Sequence, residues 1–167
     1  AGLRKENMED RGFLFFGLML TDNGPKVLEY NCRLGDPETQ SILLRADFDF
    51  ARACREAANG KLDAAQAKWI PGASVCVVMA SGGYPGRYAR GKAIRGLDEA
   101  AKLPNTKVFH AGTAKNGDQI VTSGGRVLGV TSWAKDLRSA QAAAYAAVET
   151  IQFEGAQFRR DIGAKAI

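Results

Sequence analysis

Short apolar runs broken by turn residues open the chain. Residues 13–20 and 26–31 are strand-length and rich in Phe, Leu, Val and Tyr. The link Thr21-Asp22-Asn23-Gly24-Pro25 supplies the Asn and Gly that a tight hairpin needs, so the two strands should pair antiparallel. The spacing then changes to a helical one. Ile42, Leu43, Ala46, Phe50, Cys54 and Ala57 fall on one face, which predicts a helix over residues 37–58. Asp36 is a natural N-cap, Pro37 fits the first helical position, and Asn59-Gly60 supplies the stop. Residues 61–72 read as a connector, with Pro71-Gly72 as the boundary. Beyond it, strands are predicted at 74–80, 92–94, 108–109, 119–122 and 127–133, joined by Gly, Pro, Asn and Asp. A last helix is predicted over 137–151, with Leu137, Ala140, Ala144, Val148 and Ile151 as its buried stripe. The fold class expected is α+β. Antiparallel strands plus a helix occupy residues 1–70, and a small strand-rich α+β domain occupies 71–167.

Composition narrows the function classes. At 167 residues there is enough apolar content for a core. The longest apolar runs, 12–20 and 75–80, are far below membrane-spanning length, so no membrane partner is expected. Arg4, Lys5, Glu6, Glu9 and Asp10 precede Phe13, which is unlike a secretory leader. The chain starts without Met and enters an apolar strand almost at once, as expected of a piece of something longer. Cys32, Cys54 and Cys76 are far apart and form no CxxC pair, which fits reduced thiols in a cytoplasmic protein. The net charge is +5 and the pI near 9.2. Bases and acids are interspersed, however, with no run of five like charges. Arg87, Arg90, Lys92 and Arg95 form the one local excess, and only Tyr84 and Tyr88 accompany it. A solvated basic face, or a pocket for a small phosphorylated ligand, suits this better than nucleic acid.

The densest candidate chemistry lies in Val27-Leu28-Glu29-Tyr30-Asn31-Cys32-Arg33-Leu34-Gly35-Asp36-Pro37-Glu38-Thr39-Gln40. In a strand, side chains two apart share a face, so Glu29 and Asn31 can converge on one ion. Both offer hard oxygen, the donor type Mg²⁺ prefers, and Mg²⁺ sites commonly use one or two protein ligands beside phosphate oxygens. In isolation the same pair would be a strand-end Glu and a turn-forming Asn. Arg33 continues that face if the strand extends so far, and its planar fork suits a phosphate or carboxylate. The alternative is an ion pair with Asp36 or Glu38 that fixes the turn. Ser123-Gly124-Gly125-Arg126 predicts a tight turn of bare backbone with a cation beside it, open to a ligand; the alternative is a plain Gly-Gly hairpin. Ser81-Gly82-Gly83-Tyr84-Pro85-Gly86 lacks the Lys-Ser/Thr of a P-loop and reads as a turn after a buried strand. His110, the sole histidine, has no Ser or Cys partner of known geometry and reads as a structural or pocket-edge residue.

These residues closely resemble the glycinamide ribonucleotide synthetase (phosphoribosylamine–glycine ligase) family of the ATP-grasp superfamily. The likeness runs from Arg11-Gly12-Phe13-Leu14 through the 28–40 block and Ala80-Ser81-Gly82-Gly83-Tyr84-Pro85-Gly86. It continues through Val108-Phe109-His110-Ala111-Gly112-Thr113-Ala114 and Gly124-Gly125-Arg126-Val127-Leu128-Gly129-Val130-Thr131. It ends with Phe153-Glu154-Gly155 and Arg159-Arg160-Asp161-Ile162-Gly163. Tyr30 and Leu34 stand where the family usually has Phe, and Leu44 where Pro is common; the polar positions are unaffected.

The resemblance implies the C-terminal part of an ATP-grasp core (1–70) followed by the family's C-terminal domain (71–167). It implies ligation of glycine to 5-phosphoribosylamine with ATP as co-substrate, through a glycyl phosphate, in purine biosynthesis. Glu29 and Asn31 would then be ligands to Mg²⁺ or Mn²⁺. Arg33, Glu38 and Arg126 would be substrate-binding, Glu38 toward an amine and Arg126 toward the 5-phosphate. Small-molecule partners, no nucleic acid and a monomer are expected. Without the nucleotide-clamping part, this stretch alone should be inactive. Biotin carboxylases also use an E-x-N-x-R strand, but they follow it with a Val-Glu-His turn, unlike Gly35-Asp36-Pro37-Glu38. A basic, non-catalytic binding module is the remaining alternative, and no nucleic-acid-binding signature supports it.

Overall fold

A computed structural model describes residues 2–8 and 11–167; Glu9 and Asp10 of the charged start lie outside them. In chain order it comprises α1 (Gly2–Lys5), β1 (Phe15–Thr21), β2 (Gly24–Asn31), α2 (Glu38–Leu44), α3 (Phe50–Ala58), β3 (Ala73–Ala80), α4 (Leu97–Ala101), β4 (Thr106–His110), β5 (Thr113–Asn116), β6 (Gln119–Thr122), β7 (Arg126–Ala134) and α5 (Leu137–Thr150). The chain divides into two units, Ala1–Asp36 with Ala46–Trp69, and Pro37–Arg45 with Ile70–Ile167.

In the first unit, β1 and β2 form the antiparallel hairpin that the Asn and Gly of the link predict. Gly24 takes a φ of 86°, and the Thr21 hydroxyl donates to its carbonyl at 2.7 Å. Both faces of the hairpin carry exposed apolar side chains: Leu18, Leu20, Val27, Leu28 and Tyr30 on one and Met19 on the other. A two-stranded ribbon of this kind is marginal by itself. Aromatic contacts hold the rest of the unit together. Phe13 stacks on Phe50 at 5.7 Å between centroids, and Phe48 meets Trp69 edge-on at 5.3 Å.

The helix expected over 37–58 is two helices. Backbone groups that a continuous helix would use internally instead bond to residues 68 and 70. The Ile70 N–H donates to Arg45 O at 2.8 Å, and the Asp47 N–H to Lys68 O at 3.0 Å. Asp49 starts the second helix by accepting from the Arg52 N–H at 2.8 Å. No Gly or Pro marks the break, so the apolar periodicity runs through it unchanged. The first helix also begins one residue later than expected, at Glu38, with Pro37 in the cap position.

The second unit is built on an antiparallel three-stranded sheet of order β3-β7-β4, with β5 and β6 as a separate hairpin. Val75, Val77 and Met79 of β3 and Leu128 and Val130 of β7 pack with Ala140, Ala144, Ala147 and Val148 of α5. Those alanines are fully buried, so the helix axis lies close to the sheet. The other face meets α2: the Ser74 hydroxyl donates to Ser41 O at 2.7 Å. Beyond α5, the tail is tied back by Gln141 Nε2 to Ile162 O at 2.7 Å and by the Tyr145 hydroxyl to Arg159 O at 2.8 Å.

Two further expectations change in this unit. Residues 92–94 form no strand; Ala93 makes a single bridge to Val121, and Arg95 one to Gln152. The alternative reading of the turn before Arg126 as a plain Gly-Gly hairpin also fails, because β6 and β7 belong to different sheets. The sequence also gave no signal for β5 or for the short α4. Among the described residues, Cys32, Cys54 and Cys76 form no disulfide. Among the described residues, no helix is long and apolar enough to cross a membrane.

Candidate functional site

Alternation along β2 puts Glu29 and Asn31 on one face, opposite Leu28 and Tyr30. Across the hairpin, Asn31 pairs with Phe15 and Glu29 with Gly17. The register then slips: Leu18 pairs with Val27, leaving Leu28 as an extra residue beside Glu29. Such a bulge bends the strand and re-aims the neighbouring side chain. Glu29 is exposed and Asn31 half-buried at the strand end. The Glu29 side chain lies over Gly17, with its Cγ 2.8 Å from where a Cβ on residue 17 would stand.

This arrangement fits a hard divalent cation. One anionic and one neutral oxygen donor share a strand face, and the carboxylate arm rests in a cradle that any β-carbon would fill. Among the described residues, no group of three or more His, Cys, Asp or Glu converges as a full protein cage. A two-ligand edge completed by phosphate oxygens is the usual Mg²⁺ pattern.

β2 ends at Asn31, so Arg33 does not continue its alternating face. Its Nη1 donates to Leu34 O at 2.9 Å, and its side chain is exposed in the bend that follows. Glu38 is exposed in the first turn of α2 and belongs to the second unit.

Arg126 opens β7, opposite Ala80, and is exposed at the sheet end. The glycines before it are not open to a ligand as expected. A Cβ on Gly112 would meet Gly124 Cα at 2.6 Å, and one on Gly125 would collide with the Tyr84 ring. Gly112 and Gly124 let two backbone segments pack together, and Gly125 makes room for the Tyr84 ring. The Ser123 N–H donates to Gly112 O at 2.7 Å, and the Ser81 N–H to Gly125 O at 2.8 Å. Arg126 therefore leaves a turn fixed from several sides. His110 is exposed, its Nδ1 3.0 Å from the Thr113 hydroxyl.

A hollow of about 340 Å³ in the first unit is lined by Phe48, Asp49, Arg52, Glu56, Asp63 and Lys68 among others. Most of its charged groups already serve their own elements. Asp49 and Asp63 cap helical turns, and Arg52 pairs with Glu56 at 2.7 Å. The residue that sequence reasoning missed is Gly17. Its signal was present: an isolated Gly inside an apolar strand marks a bulge or a close approach.

The profile described as "Phosphoribosylglycinamide synthetase, C domain" matches residues 74–165. That described as "Phosphoribosylglycinamide synthetase, ATP-grasp (A) domain" matches residues 1–39. The chain is 49% identical over 167 residues to a phosphoribosylamine–glycine ligase of Vibrio cholerae, covering 99% of this chain and 39% of that relative. It thus spans about two-fifths of the relative's length. The crystal structure of phosphoribosylamine–glycine ligase from Thermotoga maritima superposes with a TM-score of 0.79 at 39% identity, covering 96% of this chain and 39% of that one. The biotin carboxylase domain of a Hydrogenobacter thermophilus 2-oxoglutarate carboxylase gives a TM-score of 0.58 at 17% identity, over 86% and 32% of the two chains, a likeness of fold alone.

Proposed function

The chain belongs to the phosphoribosylglycinamide synthetase family, and from that premise we propose that it is part of an ATP-dependent ligase. The reaction joins glycine to 5-phosphoribosylamine and yields glycinamide ribonucleotide, ADP and phosphate, within purine biosynthesis. The observation that carries this reading is the pairing of Glu29 and Asn31 on one face of β2, with the Glu29 arm laid over Gly17.

The chemical obstacle is electrostatic, since the glycine carboxylate must attack a terminal phosphorus that is surrounded by negative charge. A divalent cation, Mg²⁺ or Mn²⁺, would screen that repulsion and stabilise charge developing on the transferred phosphoryl group. Glu29 would hold it with an anionic oxygen and Asn31 with a neutral one. Arg33 offers two parallel N–H donors to a phosphate or to the glycine carboxylate. Glu38 suits the amine of glycine or of the ribosylamine, and Arg126 suits the 5-phosphate. The amine of phosphoribosylamine then displaces phosphate from the glycyl phosphate, forming the amide.

Residues 1–70 would close the ATP-grasp domain, and 71–167 form the C-terminal domain. The exposed apolar faces of β1 and β2 fit a sheet continued by the part of the relatives that this chain does not span. The reading carries small-molecule partners only, a monomer and a cytoplasmic setting. Positioning of reactants provides most of phosphoryl-transfer catalysis. The 167-residue chain alone is therefore expected to form no glycinamide ribonucleotide, while the full-length protein forms it only with ATP, glycine, phosphoribosylamine and a divalent cation together. Product formation by the short chain, or by the full protein without divalent cation, would overturn the reading.

A further inference from the structure

Gly17 occupies an interior position of β1, where glycine weakens a strand by its flexibility and by having no side chain to pack. Something at this position must offset that weakening. Backbone conformation does not account for it, because Gly17 is absent from the residues with positive φ, unlike Gly24 in the turn of the same hairpin. Space does account for it. Directly opposite residues of an antiparallel pair project to the same face, so a Cβ on residue 17 would stand beside the Glu29 side chain. Three successive atoms of that side chain pass the spot: Cγ at 2.8 Å, Oε1 at 3.6 Å and Cδ at 3.7 Å. The Glu29 arm therefore lies across β1 instead of standing upright from the ribbon. The bulge at Leu28 turns the same residue from the other strand. Two independent local features thus converge on the direction of one carboxylate.

We propose that Gly17 is a positioning residue: its missing Cβ lets the Glu29 carboxylate lie across β1 on the face shared with Asn31, and any side chain at 17 swings that carboxylate out of line. This rests on the reading of Glu29 as a ligand for the divalent cation. Gly17 itself touches no substrate. Its effect passes through Glu29 alone.

The test uses the full-length protein with Gly17→Ala, Glu29→Gln and the double variant. Mn²⁺ binding in the presence of ATP is followed by electron paramagnetic resonance, and thermal melting is recorded in parallel. Gly17→Ala should weaken Mn²⁺ binding by roughly tenfold, the lower end of what losing an orienting group does to a metal site. Its melting temperature should hold or rise, because Gly→Ala at a compatible φ restricts the unfolded chain. On the Glu29→Gln background, Gly17→Ala should add nothing further. Leu18→Ala, one residue along, should leave Mn²⁺ affinity unchanged. Unaltered Mn²⁺ affinity in Gly17→Ala beside weakened binding in Glu29→Gln would overturn this inference and leave the ligand reading standing. Unaltered affinity in Glu29→Gln would remove the ligand reading, and this inference with it. Failure of both Gly17→Ala and Gly17→Ser to fold would also overturn it, since no backbone demand is placed on residue 17.

Discussion

The Ser81 hydroxyl donates to the Gly124 carbonyl at 2.9 Å, tying the end of β3 to the turn that delivers Arg126. The Ser81 N–H reinforces the link through Gly125 O at 2.8 Å. Arg126 is therefore a cation mounted on a fixed base, a suitable arrangement for gripping a phosphate.

Replacing Arg126 by Ala in the full-length protein should raise the KM for phosphoribosylamine by roughly 10- to 100-fold, the range expected when a charged hydrogen bond is lost. The KM for ATP should change little. Steady-state kinetics with each substrate varied in turn reads this directly, and equal effects on both substrates would count against the phosphate role.

Glu29→Gln keeps the shape of the side chain and removes its charge. The divalent requirement should rise and turnover should fall, each by at least roughly tenfold, since a ligand matters no less than the groups that orient it. A Mg²⁺ titration of initial rates checks this, and superimposable curves would take Glu29 out of the site.

Gly96 precedes α4 with a φ of 82°, and a Cβ there would run into the carbonyl of Thr150 at the end of α5. Both the backbone and its neighbour are rigid. Gly96→Ala should destabilise the second unit by at least ~1–3 kcal/mol, from the left-handed conformation alone. Chemical denaturation of the full-length protein, parent against variant, followed by far-ultraviolet circular dichroism, would measure it.

Ala144 is fully buried on the sheet-facing side of α5, and Ala146 is exposed on the same helix. Ala144→Leu should cost about 1–3 kcal/mol by forcing the helix off the sheet, whereas Ala146→Leu should stay within roughly 0.5 kcal/mol of the parent. Equal melting temperatures for the two variants would mean that α5 does not pack as described.

Asp136 caps α5 by accepting from the Ser139 N–H at 2.7 Å. That N–H, then the Ser139 side chain, and lastly the charges of Lys135 and Arg138 hold the carboxyl below its ordinary 3.8. A carboxyl depressed by folding lends stability that is complete above its unfolded value and disappears as pH falls through the folded one. Melting temperatures of the parent and of Asp136→Asn, which caps without charge, should therefore converge as pH drops below about 3.8. A gap that stays constant down to strongly acidic pH would exclude this coupling.

The hairpin, the long central strands and α5 were legible because each carries its own period and its own punctuation. Thr21 to Pro25 announce a turn, and Leu137, Ala140, Ala144 and Val148 trace a buried stripe. The break between α2 and α3 was not legible, since the competing partners of Arg45 and Asp47 are residues 68 and 70, more than twenty positions away. Nor could local pattern reveal what Gly125 was for: the answer is the ring of Tyr84, forty-one positions earlier (125 − 84).

For the candidate site the same division holds. Order along the chain alone determined that Glu29 and Asn31 share a face, because alternation is a property of a strand regardless of its surroundings. Only tertiary structure decided where the Glu29 arm points, because that depends on which residue of β1 stands opposite and on whether it has a β-carbon. Periodicity is local, and register is a pairing between distant segments.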